Sequence, residues 1–285
     1  MSNVNVSWRT DLFHPDWPGF DFIFFDCDST LSTIEGIDEL ARQKGKFDEV
    51  KRMTDAAMEG EVHLQNVYDR RLELLGPTRA EIRALERHYR QTVVPDTRDV
   101  IEALKFFNKD LFIISGGLLA AVRPFGEWLG IPYQNIRAVN VRYNRLSGRW
   151  WDYQQDRWGQ RPDVEYLDAE KTPLVESQGK ADVVRDLLPA RPGRSVLIGD
   201  GMSDLAARSA VNLVVGFGGV ITRQNVINEA EVFIKSQTLA PILALALSGS
   251  QREQTYLSPY KALFKKGWGL IEKEEVIFQD KAPKP

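Results

Sequence analysis

Five short apolar runs, rich in β-branched and aromatic residues, punctuate the chain at 22–26, 111–115, 195–199, 212–216 and 231–234, with helical patterns between them. Strands that alternate with helices are joined by crossovers and lie parallel, so the pattern predicts an α/β fold, a Rossmann-like parallel sheet wrapped by helices. The runs are apolar at nearly every position, as a sheet covered on both faces requires. Sheets of this kind take ligands at the carboxyl ends of their strands. Three runs end where Asp26, Ser115 and Asp200 stand.

Two stretches break the alternation. Residues 35–91 carry several helical patterns and no convincing strand, which predicts an inserted helical-bundle cap between the first two sheet strands. The expected division is therefore a discontinuous core, 1–34 and 92–248, a cap at 35–91, and a C-terminal extension at 249–285. The second stretch, 142–172, opens with Arg142 to Trp151, which reads as a small β-hairpin insertion, strand, turn, strand. Its arginines and tryptophans are compatible with RNA binding, but in a chain of net charge -3 a packed hairpin is the better expectation. In the extension one helix is legible, with Ser258 as N-cap, Pro259 in the first turn, Lys265 and Lys266 in the last turn and Gly267 closing it. Tyr260, Phe264 and Trp268 are expected to dock it on the core or on a second copy of the chain, which would make a homodimer.

With 285 residues, 43% hydrophobic and 27% charged, the composition is that of a globular protein with room for a large core and a smaller module, and nothing suggests a nucleic-acid surface. The first ten residues lack the apolar core of a signal peptide. The longest apolar run, 239–247, is far short of the ~20 residues that span a bilayer. The single cysteine, Cys27, can form no internal disulfide. A cytoplasmic protein without membrane contact is expected.

Chemistry concentrates at four stations. Asp26-Cys27-Asp28-Ser29-Thr30 ends the first strand, whose period of two turns Asp26 and Asp28 to the same side. Ser115-Gly116-Gly117 lies between a strand and a helix, where free backbone N–H groups favour an oxyanion. Lys180 falls in the first turn of a helix opened by Gln178-Gly179, an unfavourable place for a cation unless an anion is near. Gly199-Asp200-Gly201-Met202-Ser203-Asp204 offers two more carboxylates, hard ligands suited to Mg2+. Each station alone also reads as an ordinary turn or cap. The four together, in this order and each at a strand's end or a helix's start, are hard to obtain by accident. No Gly-x-Ser-x-Gly, Gly-x-Gly-x-x-Gly or phosphate-loop pattern competes.

In these stations the chain resembles the haloacid dehalogenase superfamily. Within it the stretches Asp28-Ser29-Thr30, Glu35 to Ala41, Met53-Thr54, Ala57-Met58, Ile114 to Gly117, Glu176 to Lys180 and Gly216 to Gly219 with Arg223 resemble the phosphoserine phosphatase family. The resemblance implies Asp26 as phosphoryl-accepting nucleophile and Asp28 as acid and base. It implies Ser115, Gly116, Gly117 and Lys180 around the phosphate. Magnesium would rest on Asp26, Asp200 and the Asp28 carbonyl, with Asp204 behind them or reached through water. It further implies Glu35 on the substrate ammonium, Arg71 on its carboxylate, Met58 in the apolar part of the cap, and Ser203 and Arg223 at the pocket edge. Two of these have local readings. Ser32 to Glu35 also fits a capping box, whereas Arg71 falls on the apolar stripe of Leu64, Val67 and Leu74, where a charge needs a partner. Ser203, Leu64 and Gln178 depart from the family's usual residues. The expected reaction is Mg2+-dependent hydrolysis of O-phospho-L-serine, a step of serine biosynthesis. The alternatives are another small phosphorylated metabolite or a phosphometabolite-binding protein without catalysis.

Overall fold

The computed structural model describes residues 8–58, 64–151, 161–176, 178–188 and 192–279. In chain order, helix α1 (Trp8–Phe13) precedes strand β1 (Phe22–Phe25), and four helices follow: α2 (Gly36–Gln43), α3 (Phe47–Met58), α4 (Leu64–Leu75) and α5 (Arg79–Gln91). Next come α6 (Thr97–Phe106), β2 (Asp110–Leu118), α7 (Leu119–Trp128), β3 (Ile136–Val139), β4 (Val141–Tyr143) and β5 (Tyr166–Ala169). The second half runs α8 (Gly179–Leu187), β6 (Ser195–Gly199), α9 (Met202–Ala206), β7 (Leu213–Phe217), α10 (Gln224–Glu229) and β8 (Val232–Ile234). The chain then closes with α11 (Ala240–Ala246), α12 (Gly249–Thr255), α13 (Lys261–Glu272) and β9 (Val276–Phe278).

Seven strands form one sheet in the order β3-β2-β1-β6-β7-β8-β9, parallel except for β9, which runs against β8. Phe22 to Phe25 and Ser195 to Gly199 are buried throughout, which is why their apolar runs are unbroken. Strand order reverses between β1 and β6, and the residues leaving those two strands are Asp26 and Asp200. That reversal opens the crevice in which doubly wound sheets bind ligands.

All five expected strands form, and two further strands join the sheet. β3 buries only Ile136 and Val139 and exposes Arg137, so it has no apolar run to betray it. β9 is a three-residue edge strand. β2 extends past its apolar run to Leu118, with its pairing to β3 irregular between Ile114 and Leu118, and Ser115, Gly116 and Gly117 lie in that irregular part.

Helices α2 to α5 form the expected insertion between β1 and β2. The hairpin differs from expectation. Its first strand, β4, pairs not with Arg149 to Trp151 but with β5, and 152–160 lie outside the described residues. The returning stretch ties down the turn between α4 and α5: Arg79 N donates to Val164 O (2.9 Å), Ala80 N to Pro162 O (2.8 Å) and Tyr166 N to Pro77 O (2.8 Å). Tyr166 adds a hydroxyl bond to Asp69 Oδ1 on α4 (2.7 Å). The insertion is thus anchored to the helical cap rather than standing free.

The extension also departs from its reading. The helix expected to end at Gly267 continues to Glu272 as α13, and its N-cap position is Tyr260 rather than Ser258. Gly267 is needed for packing, because a Cβ there would stand 2.2 Å from the Ala240 carbonyl of α11. Phe264 is buried, and Trp268 stacks on it while making a T-shaped contact with Phe13, so these aromatics dock on the chain's own core. Among the described residues no helix is long and apolar enough to cross a membrane.

Candidate active site

Asp26 follows β1, its N–H donating to Ile198 O on β6 (2.9 Å), so the backbone ladder itself sets the residue's place. Its Oδ1 accepts from the Cys27 amide (2.6 Å) and its Oδ2 meets Lys180 Nζ (2.6 Å). Lys180, in the first turn of α8, reaches Asp204 Oδ1 at the same distance and is 4% exposed. Burial opposes its charge, but Asp204 and Asp26 outweigh burial and hold the ammonium more firmly protonated than an ordinary lysine. The oddly placed cation of the sequence therefore has two carboxylates to neutralise.

Asp26, Asp200 and Asp204 are all buried, and one oxygen from each lies within 4.8 Å of the others. Burial drives the Asp200 carboxyl well above the usual range despite the nearby Arg223, with Asp26 and Asp204 adding repulsion. Burial likewise raises Asp204 against the pull of Lys180. Such a set of hard oxygen donors, short of positive charge, fits a divalent cation.

Asp28 sits on the near side of the same pocket. Its Oδ1 accepts from the Gly36 amide at the start of α2 (2.8 Å) and from the Tyr89 hydroxyl on α5 (2.7 Å). Burial and then the charge of Asp26 push it up to about 7, so a carboxyl that can both hold and release a proton near neutrality stands beside the Asp26 carboxylate. Gly116 and Gly117 line the pocket with Asp26, Asp28, Lys180 and Asp200. Ser115 is fully buried, its Oγ accepting from Gly117 N (3.0 Å).

The cap supplies Glu35 and Arg71 to the pocket's other wall. Glu35 occupies the N-cap position of α2 but its side chain caps nothing, so the capping-box reading fails; a capping box forms instead at Thr78 and Glu81. The Glu35 carboxylate meets Arg223 NH2 (3.2 Å), and Arg223 Nε meets Asp200 Oδ2 (3.2 Å). This three-membered chain links cap and core across the pocket. Arg71 is 6% exposed, bonded through NH1 to Thr54 Oγ1 (2.9 Å) and set 5.7 Å from the Tyr68 ring centroid. Its Nε is buried with no hydrogen-bond partner among the described residues. Burial lowers its pKa, while Tyr68, Glu35, Asp38 and Asp28 favour the charged form. Ser203 lines the pocket, whereas the side chain of Met58, at the end of α3, lies outside the described residues, as does that of Leu64.

Nothing in the sequence assigns a part to Tyr89 or Thr54. Tyr89 continues the buried face of Ile82 and Leu85 on α5 and reads as core. Thr54 sits in one of the family-like stretches, but nothing in its neighbours announces a bond to a helix residue 17 positions on. Leu174, Tyr68, Leu72 and Ile37 supply apolar wall.

Residues 23–208 match the family described as haloacid dehalogenase-like hydrolase, and the chain belongs to that family. Curated relatives sharpen the class. The chain is 33% identical over 215 residues to the phosphoserine phosphatase of Bos taurus, covering 75% of this chain and 88% of that one. The human phosphoserine phosphatase gives 33% over 216 residues, again 75% and 88%, and the chloroplastic one of Arabidopsis thaliana 30% over 221, 76% and 70%. Among solved structures, a phospho-aspartyl intermediate analogue of phosphoserine phosphatase superposes with a TM-score of 0.65 at 24% identity, over 79% of this chain and 98% of that one. The fold is shared, and the relatives make this chain a phosphatase.

Proposed function

We propose that the chain hydrolyses O-phospho-L-serine to L-serine and phosphate through an aspartyl-phosphate at Asp26, with Mg2+ as its cation, in serine biosynthesis. The observation that carries the reading is the pairing, across one pocket, of the Asp26–Lys180–Asp200 acid cluster with Glu35 and the buried Arg71 of the cap. A ligand that satisfies both walls carries a phosphate at one end and an ammonium and a carboxylate at the other.

Asp26 Oδ attacks phosphorus as the seryl oxygen leaves, forming an aspartyl-phosphate. Asp28 donates a proton to that oxygen and afterwards takes one from the water that hydrolyses the intermediate. Lys180 and the Gly116 amide balance charge on the phosphoryl oxygens, while the bond from Gly117 N to Ser115 Oγ holds that loop in shape. Asp26 and Asp200, with Asp204 behind them and the Asp28 carbonyl as a further donor, would hold a magnesium ion, which would supply charge neutralisation at the phosphoryl group. Glu35 faces the ammonium, shared with Arg223, and the Arg71 fork grips the carboxylate. Met58 is assigned to the apolar part of the cap and Ser203 to the pocket edge.

The test is magnesium-dependent phosphate release across a panel of phosphorylated metabolites, repeated with Glu35→Gln and Arg71→Ala. Phosphoserine should lead in kcat/KM, and both variants should erase that lead while sparing an aryl phosphate. A different preferred ester, or variants that leave the preference intact, would overturn the substrate; absence of magnesium-dependent release would overturn the reaction.

A further inference from the structure

Asp28 has two carboxyl oxygens, and the fold treats them differently. Oδ1 accepts two hydrogen bonds, from Gly36 N at 2.8 Å and from the Tyr89 hydroxyl at 2.7 Å. A carboxylate oxygen offers about two lone-pair sites, so Oδ1 is saturated. Oδ2 accepts no hydrogen bond among the described residues. It lies beside Gly117, where a built Cβ would stand 2.7 Å away, and both residues line the pocket.

Tyr89 is fully buried, and its ring stacks on Phe125 at 5.4 Å between centroids. Its hydroxyl therefore cannot swing away without repacking the interface of α5 and α7. Position 36 is fitted to the same contact, since a Cβ on Gly36 would fall 2.3 Å from the Tyr89 hydroxyl oxygen. The phenol reaches Asp28 only because that residue is glycine. A cap helix thus holds a core carboxyl in one rotation.

We propose that Tyr89 is the positioning residue of the acid–base step, locking Asp28 so that Oδ2 alone faces the scissile oxygen and the hydrolytic water. The inference rests on the assignment of Asp28 as acid and base made above. In the first half-reaction the bond from Asp26 Oδ to phosphorus forms, the bond from phosphorus to the seryl oxygen breaks, and the proton on Asp28 Oδ2 passes to that oxygen. In the second, a water oxygen bonds to phosphorus, the Asp26–phosphorus bond breaks, and the water proton returns to Oδ2. Tyr89 keeps its own proton throughout, its bond to Oδ1 unchanged.

The full-length chain with magnesium supplies the test, by kcat/KM for phosphoserine and for p-nitrophenyl phosphate. Nitrophenolate leaves without a proton, so kcat/KM for that ester, which stops at release of the leaving group, does not need Asp28 to be aligned. Tyr89→Phe keeps the ring and removes the hydroxyl. It should lower kcat/KM for phosphoserine on the order of 10- to 100-fold, as loss of a hydrogen bond to a charged group does, and leave the nitrophenyl ester within about threefold. Equal loss on both esters would mark Tyr89 as merely structural and overturn the proposal, as would no loss on either. Gly36→Ala, which displaces the hydroxyl without removing it, should repeat the pattern and serves if Tyr89→Phe does not fold. Asp28→Asn is the reference: if it fails to separate the two esters, the assignment of Asp28 itself has failed and the proposal falls with it.

Discussion

Replacing Lys180 by methionine removes one cation from the acid cluster while filling most of its volume. Lys180 Nζ stands 2.6 Å from both Asp26 Oδ2 and Asp204 Oδ1. At an effective dielectric near 20 each contact is worth about 6 kcal/mol of gross attraction, most of it offset by the desolvation of the three groups. Removing one member of a buried ion pair costs about 3–5 kcal/mol, because it strands the partner charge. For a chain of 285 residues the unfolding entropy is roughly 0.6 kcal/mol per kelvin, so Tm should fall by about 5–8 °C. The fall should be largest at pH 8 in chelator. It should shrink at pH 5, where the stranded Asp204, raised to about 6 by burial, takes up a proton, and shrink on adding magnesium, which supplies charge in place of the ammonium. Scanning calorimetry of the parent and Lys180→Met under those conditions measures each part. An unchanged Tm at pH 8 in chelator, or a deficit indifferent to pH and magnesium, would refute the electrostatic account of the cluster.

Thr54→Val removes the NH1 partner of Arg71 while keeping the side-chain shape; KM for phosphoserine should rise about tenfold with kcat little changed, read from steady-state kinetics. Asp28, raised to about 7, must be protonated to act as acid, so kcat/KM for phosphoserine should fall as pH rises through 7, in a pH–rate profile where the nitrophenyl ester shows no such limb. The same shift has a sign for stability. A carboxyl at about 7 when folded and 3.8 in its ordinary state favours the folded form most below 3.8. That contribution is lost as pH rises through 7, so the Asp28→Asn variant in chelator should show a flatter Tm between pH 5 and 8 than the parent.

The sheet was legible because its strands are buried on both faces and their apolar runs stand out; β3 and β9 were not, since β3 exposes Arg137 and β9 has only three residues at the edge. The clustering of Asp26, Asp200 and Lys180 was legible for a related reason: strand ends and helix starts place those groups through local geometry alone. What the sequence hid is set by long-range packing. Gly267 looked like a helix stop because its real constraint, the Ala240 carbonyl, lies on another helix. The partner of Glu35 is Arg223, 188 positions away, so a local capping box was the competing reading. Tyr89 looked like core because it is core, apart from one hydroxyl.

The central claim is the covalent role of Asp26, and a chemical trap tests it most directly. An acyl phosphate is reduced by borohydride to an alcohol, so an aspartyl-phosphate becomes homoserine. Enzyme turning over phosphoserine with magnesium, quenched and treated with borohydride, should carry homoserine at position 26 by peptide mass spectrometry, and Asp26→Asn should be folded, inactive and unlabelled. Full turnover with no modification at residue 26, or modification at another carboxylate, would contradict the account.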